Sequence, residues 1–486
     1  MALPRRSSLG IHSASKSGDA TIRKHLRGAP VYLLSTVAQA AGPILLLPAQ
    51  RIVLGVDDLG FAILSATIAS FTGLFATMGV ADAVVRRRLS GDISVHDAMR
   101  LVKFAPLAGA PVVLAAAIGM MFLAPLVAPN HVLALVAGAA GGLATCTLLI
   151  CQQSLRADER AWSFLGNVAL WHLVSPIIGL LLALSGLGFN GYIVGWSSAL
   201  LGAALFAFLS ATHRKTRGTH TERVGESYKS AVQLGLPVLL HALAGSAISL
   251  SDRTLLAGFS EGEDVAYFQA IYLFGLAPGI VLVAINNAWA IRLFKASDVG
   301  PWAPQHRDLA ILAFIATGLS GVAIVLGKPA YELTIGTGMD TQLPIVAISL
   351  LASLALTQVL YLAGLNALYR EGLTRMLVAR TLPCALVQGS LSAFLIPHLG
   401  YLGPCIALFT LQLIQALVVW NLARRHTGML RIPVEWYIAS LPVWLAVGLI
   451  ALLGVDYHAI VGILLVIVSL SGIALTIRFR HKNEVV

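Results

Sequence analysis

The chain has 486 residues, of which 57% are hydrophobic and only 11% are charged. Its mean hydropathy of +0.83 excludes a water-soluble globular protein and predicts an all-α polytopic membrane protein. The apolar stretches run continuously instead of alternating in short segments, which excludes a transmembrane β-barrel. The net charge of +11 comes from the loops between these stretches, so we expect no nucleic-acid partner.

Matching the apolar stretches to the bilayer thickness predicts fourteen transmembrane helices. They begin near residues 30, 59, 101, 131, 164, 190, 231, 264, 309, 343, 376, 401, 437 and 457. Residues 1–29 carry six basic residues among serines and no cleavage site, and they are interpreted as a cytoplasmic tail. The four cysteines lie in apolar stretches without metal-ligand spacing, so no cofactor or metal is predicted.

The loops divide sharply by charge. With the amino terminus in the cytoplasm, all but three of the 33 Lys and Arg residues lie on the cytoplasmic side, the exceptions being Arg51, Arg253 and Lys328. This asymmetry predicts that both termini are cytoplasmic.

The two halves of the chain contain an internal repeat. A constant offset of 202 residues aligns three positions in the first predicted helix with three in the seventh: Gln39 with His241, Pro43 with Gly245, and Arg51 with Arg253. The offset grows to 206 for Arg86 and Arg292, and to 210 for Arg160 and Arg370. A duplicated six-helix unit with small loop insertions is expected to give this pattern, with the two copies related by an axis along the membrane normal.

The repeat and the loops predict six segments. They are a basic tail (1–29), an amino-terminal six-helix bundle (30–212), a cytoplasmic linker (213–230), a carboxy-terminal six-helix bundle (231–425), two additional helices (426–478) and a cytoplasmic tail (479–486).

A 63-residue segment carries a family resemblance. It reads QLGLPVLLHALAGSAISLSDRTLLAGFSEGEDVAYFQAIYLFGLAPGIVLVAINNAWAIRLFK, from Gln233 to Lys295. The segment resembles the polysaccharide transporters in four features: the Gly-Leu-Pro sequence near its start, the Ser-Asp-Arg triplet, the acidic turn and the Asn-rich helix end. These transporters are the O-antigen and related lipid-linked oligosaccharide flippases of the multidrug/oligosaccharidyl-lipid/polysaccharide exporter superfamily.

The resemblance implies two six-helix bundles around a cavity lined mainly by the first, second, seventh and eighth helices, plus two extra carboxy-terminal helices. The implied activity is movement of a polyprenyl-pyrophosphate-linked oligosaccharide across the bacterial cytoplasmic membrane by alternating access, for cell-surface polysaccharides such as lipopolysaccharide. Membrane lipids, and a polysaccharide polymerase or glycosyltransferases, are the implied partners. The first half departs from the family pattern, with Gln50 where the second half has Asp252.

Polar residues within or beside the apolar stretches are the candidate site. Gln39 and His241 are predicted near the bilayer midplane, where they contact sugar hydroxyls or only hydrogen-bond neighbouring helices. Asp252 and Arg253 are adjacent on a helix, point about 100° apart and need separate partners. The full candidate list is Arg51, Arg253, Asp252, His241, Gln39, Arg292, Arg86 and Asn287.

Each candidate has a structural alternative. Arg253 is near the outer end of its helix, so its side chain either lines the cavity or reaches the interface. Arg86 and Arg292 either capture a pyrophosphate or only contribute to the positive cytoplasmic side. Gln358, Gln388, Gln412 and Gln415 are interpreted as interhelical hydrogen-bonding groups.

The sequence gives less support to two other functions. A drug/cation antiporter of the same superfamily needs a carboxylate deep in its helices, and none is predicted at the midplane. A membrane-embedded polymerase or ligase needs catalytic groups on long exterior loops, but these loops are short and no catalytic motif is present. The sequence therefore predicts a transporter that is not an enzyme.

Overall fold

A computed structural model describes residues 15–89, 92–213, 224–260, 262–295, 303–336, 341–371, 373–427, 432 and 434–483. These residues form sixteen α-helices and contain no β-strand, which confirms the all-α prediction. The helices are α1 (Ser15–Leu54), α2 (Val56–Ala76), α3 (Val80–Leu89), α4 (Val95–Val127), α5 (Val132–Ala157), α6 (Ala161–Ala169), α7 (Ser175–Leu182), α8 (Gly188–Thr212), α9 (Val224–Phe259), α10 (Gly262–Lys295), α11 (Ala303–Ile335), α12 (Gln342–Arg370), α13 (Thr374–Leu399), α14 (Leu402–Thr427), α15 (Val434–Leu453) and α16 (His458–Asn483).

The helices are long and apolar enough for a multi-pass membrane protein. Eleven in the described residues meet the length and composition of a membrane span, or twelve when the bent pair Gly225–Leu236 and Val238–Phe259 is one span. One of them, Ala161–Thr212, has 52 residues. At 1.5 Å per residue it is about 78 Å long, more than twice a hydrocarbon core.

That segment is a hairpin of two crossings. Its chain direction changes at Gly186 and Gly188, whose φ values of 96° and 55° are left-handed. After the turn, α8 packs back along α7, with Tyr192 against Gly179. This hairpin and the apolar part of α13, Pro383–Leu399, make the helix pattern consistent with fourteen spans.

Buried apolar side chains form two clusters. One consists of residues of the first half together with Ala231 of α9, and the other joins residues of α9 to α16 with residues of α1, α2, α4 and α5. Helix α2 belongs to both, because Ala62 and Ala69 face the first cluster and Leu59, Leu64 and Ile68 face the second. The second helix therefore forms much of the contact between the two halves.

The last two helices pack beside the second half. Trp436 of α15 donates its indole N–H to the carbonyl oxygen of Leu356 in α12 at 3.1 Å. Ser469 of α16 donates to the carbonyl oxygen of Phe314 in α11 at 2.6 Å. These bonds satisfy polar groups that lipid would leave without partners.

The loop charges distinguish the two ends of the bundle. We call the end with the Lys- and Arg-rich loops the basic end, and the opposite end the acidic end. The two halves approach closely at both ends. At the acidic end Gly60 of α2 lies against Gly262 of α10, and at the basic end Gly79 lies against Gly235 of α9. A Cβ at any of these glycines would enter the neighbouring backbone, so the halves meet this closely only without side chains there.

The predicted orientation can be tested with two exposed positions, His213 at the basic end and Asp456 at the acidic end. In intact cells, an impermeant thiol reagent is expected to label Asp456→Cys and to leave His213→Cys unlabelled. The unmodified chain controls for its own cysteines. Labelling of His213→Cys without permeabilisation would reverse the assigned topology.

Candidate functional site

A cavity of about 270 Å³ lies between the two halves. Helices α1, α2, α5, α7 and α8 of the first half and α9 and α10 of the second half line it. We call it the central cavity. Its polar and aromatic lining residues are Gln50, Thr67, Ser70, Thr145, Trp171, His172, Tyr192, Trp196, Ser249, Arg253 and Gln269.

Arg253 is the charged residue among the described residues that line this cavity. Its side chain is held by α9 and α10 and is only 3% exposed. Nε donates to Oε1 of Gln269 at 3.1 Å, Nη2 donates to the same oxygen, and Nη1 donates to Ser249. The guanidinium carbon also lies 5.5 Å from the ring centre of Phe268 and 5.0 Å from that of Tyr272.

These contacts fix a positive charge beside the cavity. The predicted alternative, in which Arg253 extends to the membrane interface, is wrong, because hydrogen bonds and aromatic rings hold the side chain inside. All its protein acceptors are neutral, so the charge is available to an anion in the cavity.

Asp252 faces the opposite way, into the second half. Its carboxylate accepts from Gln388 Nε2 at 3.0 Å and from Ser392 Oγ at 2.7 Å, both on α13. The prediction of separate partners for Asp252 and Arg253 is thus confirmed, as is the interhelical role of Gln388. Asp252 is 1% exposed, and its two hydrogen-bond partners lie in the middle part of α13.

Several cavity residues of the first half were not predicted, among them Gln50, Tyr192 and His172. Gln50 donates to the hydroxyl oxygen of Tyr192 at 2.7 Å. His172 stacks on Trp171 at 4.6 Å between ring centres, in the π-helical turn Leu170–Val174. Its buried Nε2 has no hydrogen-bond partner within the described residues.

A sequence signal for His172 existed but was weak. A Trp-His pair followed by Ser-Pro interrupts an apolar run. Such a pair indicates a site only when its side of the helix lines a cavity. A π-helical turn inserts about one extra residue, so a regular helical pattern predicts the wrong side of the helix for His172.

The other predicted site residues do not gather in the central cavity. Arg51 lies with its guanidinium against Gly336 after α11, so Gln50, one residue earlier, faces the cavity instead. Gln39 is exposed on α1, and Arg86 is exposed on α3 at the basic end. His241 of α9 and Asn287 and Arg292 of α10 have side chains outside the described part of the structure.

The basic end is closed by further contacts between the halves. Arg87 of α3 is buried and donates to the carbonyl and hydroxyl oxygens of Ser227 in α9, at 3.3 and 3.2 Å. Phe104 of α4 makes an edge contact with Tyr228, with ring centres 5.2 Å apart. With the glycine contacts, they bring the two halves together at both ends of the bundle.

One cluster outside the cavity has groups that a metal could use. His131 Nε2 lies 2.9 Å from Asp58 Oδ1 and 3.9 Å from Asp57 Oδ2 at the acidic end. The imidazole stacks on Phe61 at 3.8 Å between ring centres. These distances are those of a hydrogen-bonded pair at a helix start, and they carry no metal assignment.

The fold has relatives among solved transporters. The sequence matches no protein-family model and no curated protein. The structure is similar to the lipid II flippase MurJ in an inward closed conformation, with a TM-score of 0.68 at 13% identity over 95% of this chain and 100% of that one.

It is also similar to multidrug resistance MATE family transporters of the MOP superfamily. The inward-facing conformation gives a TM-score of 0.58 at 15% identity over 81% of this chain and 94% of that one. The outward-facing conformation gives 0.57 at 15% identity over 82% and 95%. The chain therefore has the fold of this transporter superfamily.

The contact between Asp252 and Gln388 can be tested by a double-mutant cycle. Gln388→Leu is expected to lower the apparent unfolding temperature in detergent by about 1–3 °C, because a buried carboxylate loses a donor. The same change should cost much less in an Asp252→Leu background, where no carboxylate remains. Gln233→Leu, at an exposed glutamine of α9, is the control. Equal losses in the two backgrounds would contradict the pairing.

Proposed function

We propose that the chain is a transporter, not an enzyme, which moves a polyprenyl-pyrophosphate-linked oligosaccharide across the bacterial cytoplasmic membrane by alternating access. In this proposal both termini are cytoplasmic, and the segments predicted from the sequence are the mobile halves, the linker and the accessory pair of helices. The product serves cell-surface polysaccharide synthesis.

The observation that carries the proposal is the chemistry of the central cavity. A buried, positively charged Arg253 stands beside it, and no carboxylate is among its described lining residues. An anionic diphosphate fits such a cavity, because moving it through hydrocarbon unaided would cost tens of kcal/mol. A guanidinium binds phosphate oxygens bidentately.

The remaining cavity surface suits sugars. Trp171 and Trp196 offer flat apolar faces on which the C–H face of a sugar ring stacks. Gln50, Tyr192 and His172 add hydrogen-bonding groups at the same level. The structural neighbour that is a lipid II flippase supports a lipid-linked substrate.

The cavity volume supports a cyclic mechanism. About 270 Å³ is too small for a whole oligosaccharide, so the closed arrangement holds at most part of a substrate. Passage requires the halves to part at one end while they stay joined at the other. The glycine contacts at the two ends are the surfaces that would separate in turn, and superfamily neighbours are known in inward-facing and outward-facing conformations.

A drug/cation antiporter is the second candidate, favoured by one specific observation. The carboxylate of Asp252 is buried among the helices of the second half. The sequence counts against an antiporter, because it predicts no carboxylate at the bilayer midplane. Proton or cation binding at Asp252 would suit an antiporter. Gln388 and Ser392 already donate to this carboxylate, and the central cavity itself is positive, so we favour the lipid-linked substrate.

The test uses purified protein in liposomes with a fluorescent polyprenyl-pyrophosphate glycan, scored by bleaching of the exposed leaflet. We expect Arg253→Ala to slow flipping about tenfold or more, since a charge-assisted contact is lost, and Arg253→Lys to slow it less. Arg51→Ala, outside the cavity, is the matched control and should retain the wild-type rate.

The outcomes separate the two candidates. Loss of flipping only in the Arg253 variants supports the proposal. No flipping by the wild-type protein, together with cation-coupled efflux of a lipophilic cation that Asp252→Asn abolishes, would establish the antiporter instead. In the source bacterium, deletion of the gene should accumulate the lipid-linked glycan on the cytoplasmic face.

A further inference from the structure

A second cavity, of about 290 Å³, lies inside the second half, separate from the central cavity. Helices α9, α12, α13 and α14 line it. We call it the glutamine cavity, because Gln358 of α12 and Gln412 and Gln415 of α14 all face it. They lie near the middle of their helices, where the surroundings are most apolar.

The sequence predicts that these three glutamines form hydrogen bonds with neighbouring helices, and the described part of the structure shows no such bonds. Within the described residues, none of their side-chain amides forms a hydrogen bond with protein. Gln388 differs from them, because its amide nitrogen donates a hydrogen bond to the carboxylate of Asp252. An amide in the apolar interior is costly unless water or a ligand satisfies it, so three that converge on one cavity point to a polar occupant.

The described lining of the cavity carries no charge. None of its ten described lining residues has an ionised side chain at neutral pH, since the others are Ala242, Ala244, Gly245, Ile248, Thr357, Tyr361 and Cys384. Asp252 is one helical turn beyond Ile248, but its carboxylate is already satisfied by Gln388 and Ser392. A charged ligand would therefore lose its hydration without gaining a counter-charge.

The predicted repeat relates the glutamine cavity to the central cavity. The 202-residue offset that aligns Arg51 with Arg253 also aligns Pro43 with Gly245 and Leu46 with Ile248. Pro43 and Leu46 line the central cavity, whereas Gly245 and Ile248 line the glutamine cavity. Corresponding surfaces of α1 and α9 thus border two cavities of similar volume, one charged and one neutral.

We propose that the glutamine cavity is a binding site for one neutral ring that carries hydroxyl or acetamido groups. Primary amides both donate and accept, as hydroxyl and acetamido groups do, so three amides match several such groups at once. The volume is at the lower end of small-molecule sites and suits a single ring, not a chain. The ligand class rests on the proposed function, because a lipid-linked oligosaccharide carries such rings.

Cys384 supplies a reporter within the cavity. It is half-buried among the lining residues, whereas Cys146, Cys151 and Cys405 are fully buried. In purified full-length protein with these three changed to Ala, N-ethylmaleimide labelling of Cys384 is followed by mass spectrometry. N-Acetylglucosamine and methyl glucoside at millimolar concentration should slow labelling at least threefold, whereas inorganic pyrophosphate and tetramethylammonium should not.

Variants test whether the amides provide the binding. Gln412→Leu and Gln415→Leu should each weaken protection roughly two- to tenfold, the range of one neutral hydrogen bond. Gln412→Asn keeps the amide on a shorter side chain and should lose less than Gln412→Leu, which separates binding from folding. Gln233→Leu, outside both cavities, is the matched control.

Protection by neither sugar, or equal protection by pyrophosphate or tetramethylammonium, would overturn the proposal and leave a water-filled void. The assay contains no lipid-linked substrate and no transport step, so it can succeed while the flipping assay fails. With sugar protection established, slower flipping by Gln412→Leu would identify the ring as part of the transported conjugate, and an unchanged rate would identify a separate free sugar.

Discussion

An arginine within an apolar helix bundle must be surrounded by acceptors, and Arg253 is the point around which the described site is organised. Serine, glutamine and two aromatic rings hold it without neutralising it, because each of those partners is uncharged. The adjacent Asp252 is turned by about 100° around α9 and is bound by α13 instead. One helix thus directs a guanidinium to the central cavity and a hydrogen-bonded carboxylate into the second half.

Small residues provide the complementary constraint. The two halves meet at Gly60 and Gly262 on one side of the cavity and at Gly79 and Gly235 on the other, where no side chain separates the backbones. In a membrane there is little hydrophobic force to join two helices, so close packing and hydrogen bonds such as Arg87 to Ser227 have to hold them. Each contact of this kind is individually weak, which is compatible with the proposed separation of the halves at alternate ends.

The two halves that the sequence predicts to be a repeat border cavities of different chemistry. In the first half α1 presents Pro43 and Gln50 to a cavity that Arg253 charges from the other half. In the second half α9 presents Gly245 and Ile248 to a cavity whose described polar groups are amides, hydroxyls and one thiol. The proposed substrate, a lipid-linked oligosaccharide, contains both an anionic diphosphate and neutral rings, and the two proposed sites would each suit one of these chemistries.

The sequence by itself determined the membrane class, the positions of the helices and the basic and acidic ends, because apolar length and loop charge are local properties that the bilayer imposes. It also determined that Asp252 and Arg253 need separate partners, since their angle follows from helix geometry alone. Only the tertiary structure decided that Gln50 faces the cavity and Arg51 does not, and that His172 is at the cavity wall. It also decided that three glutamines have no hydrogen-bond partner in the described part of the chain. These facts depend on helix rotation, on a π-turn and on the packing of distant segments, and small residues permit many such arrangements for the same hydropathy pattern.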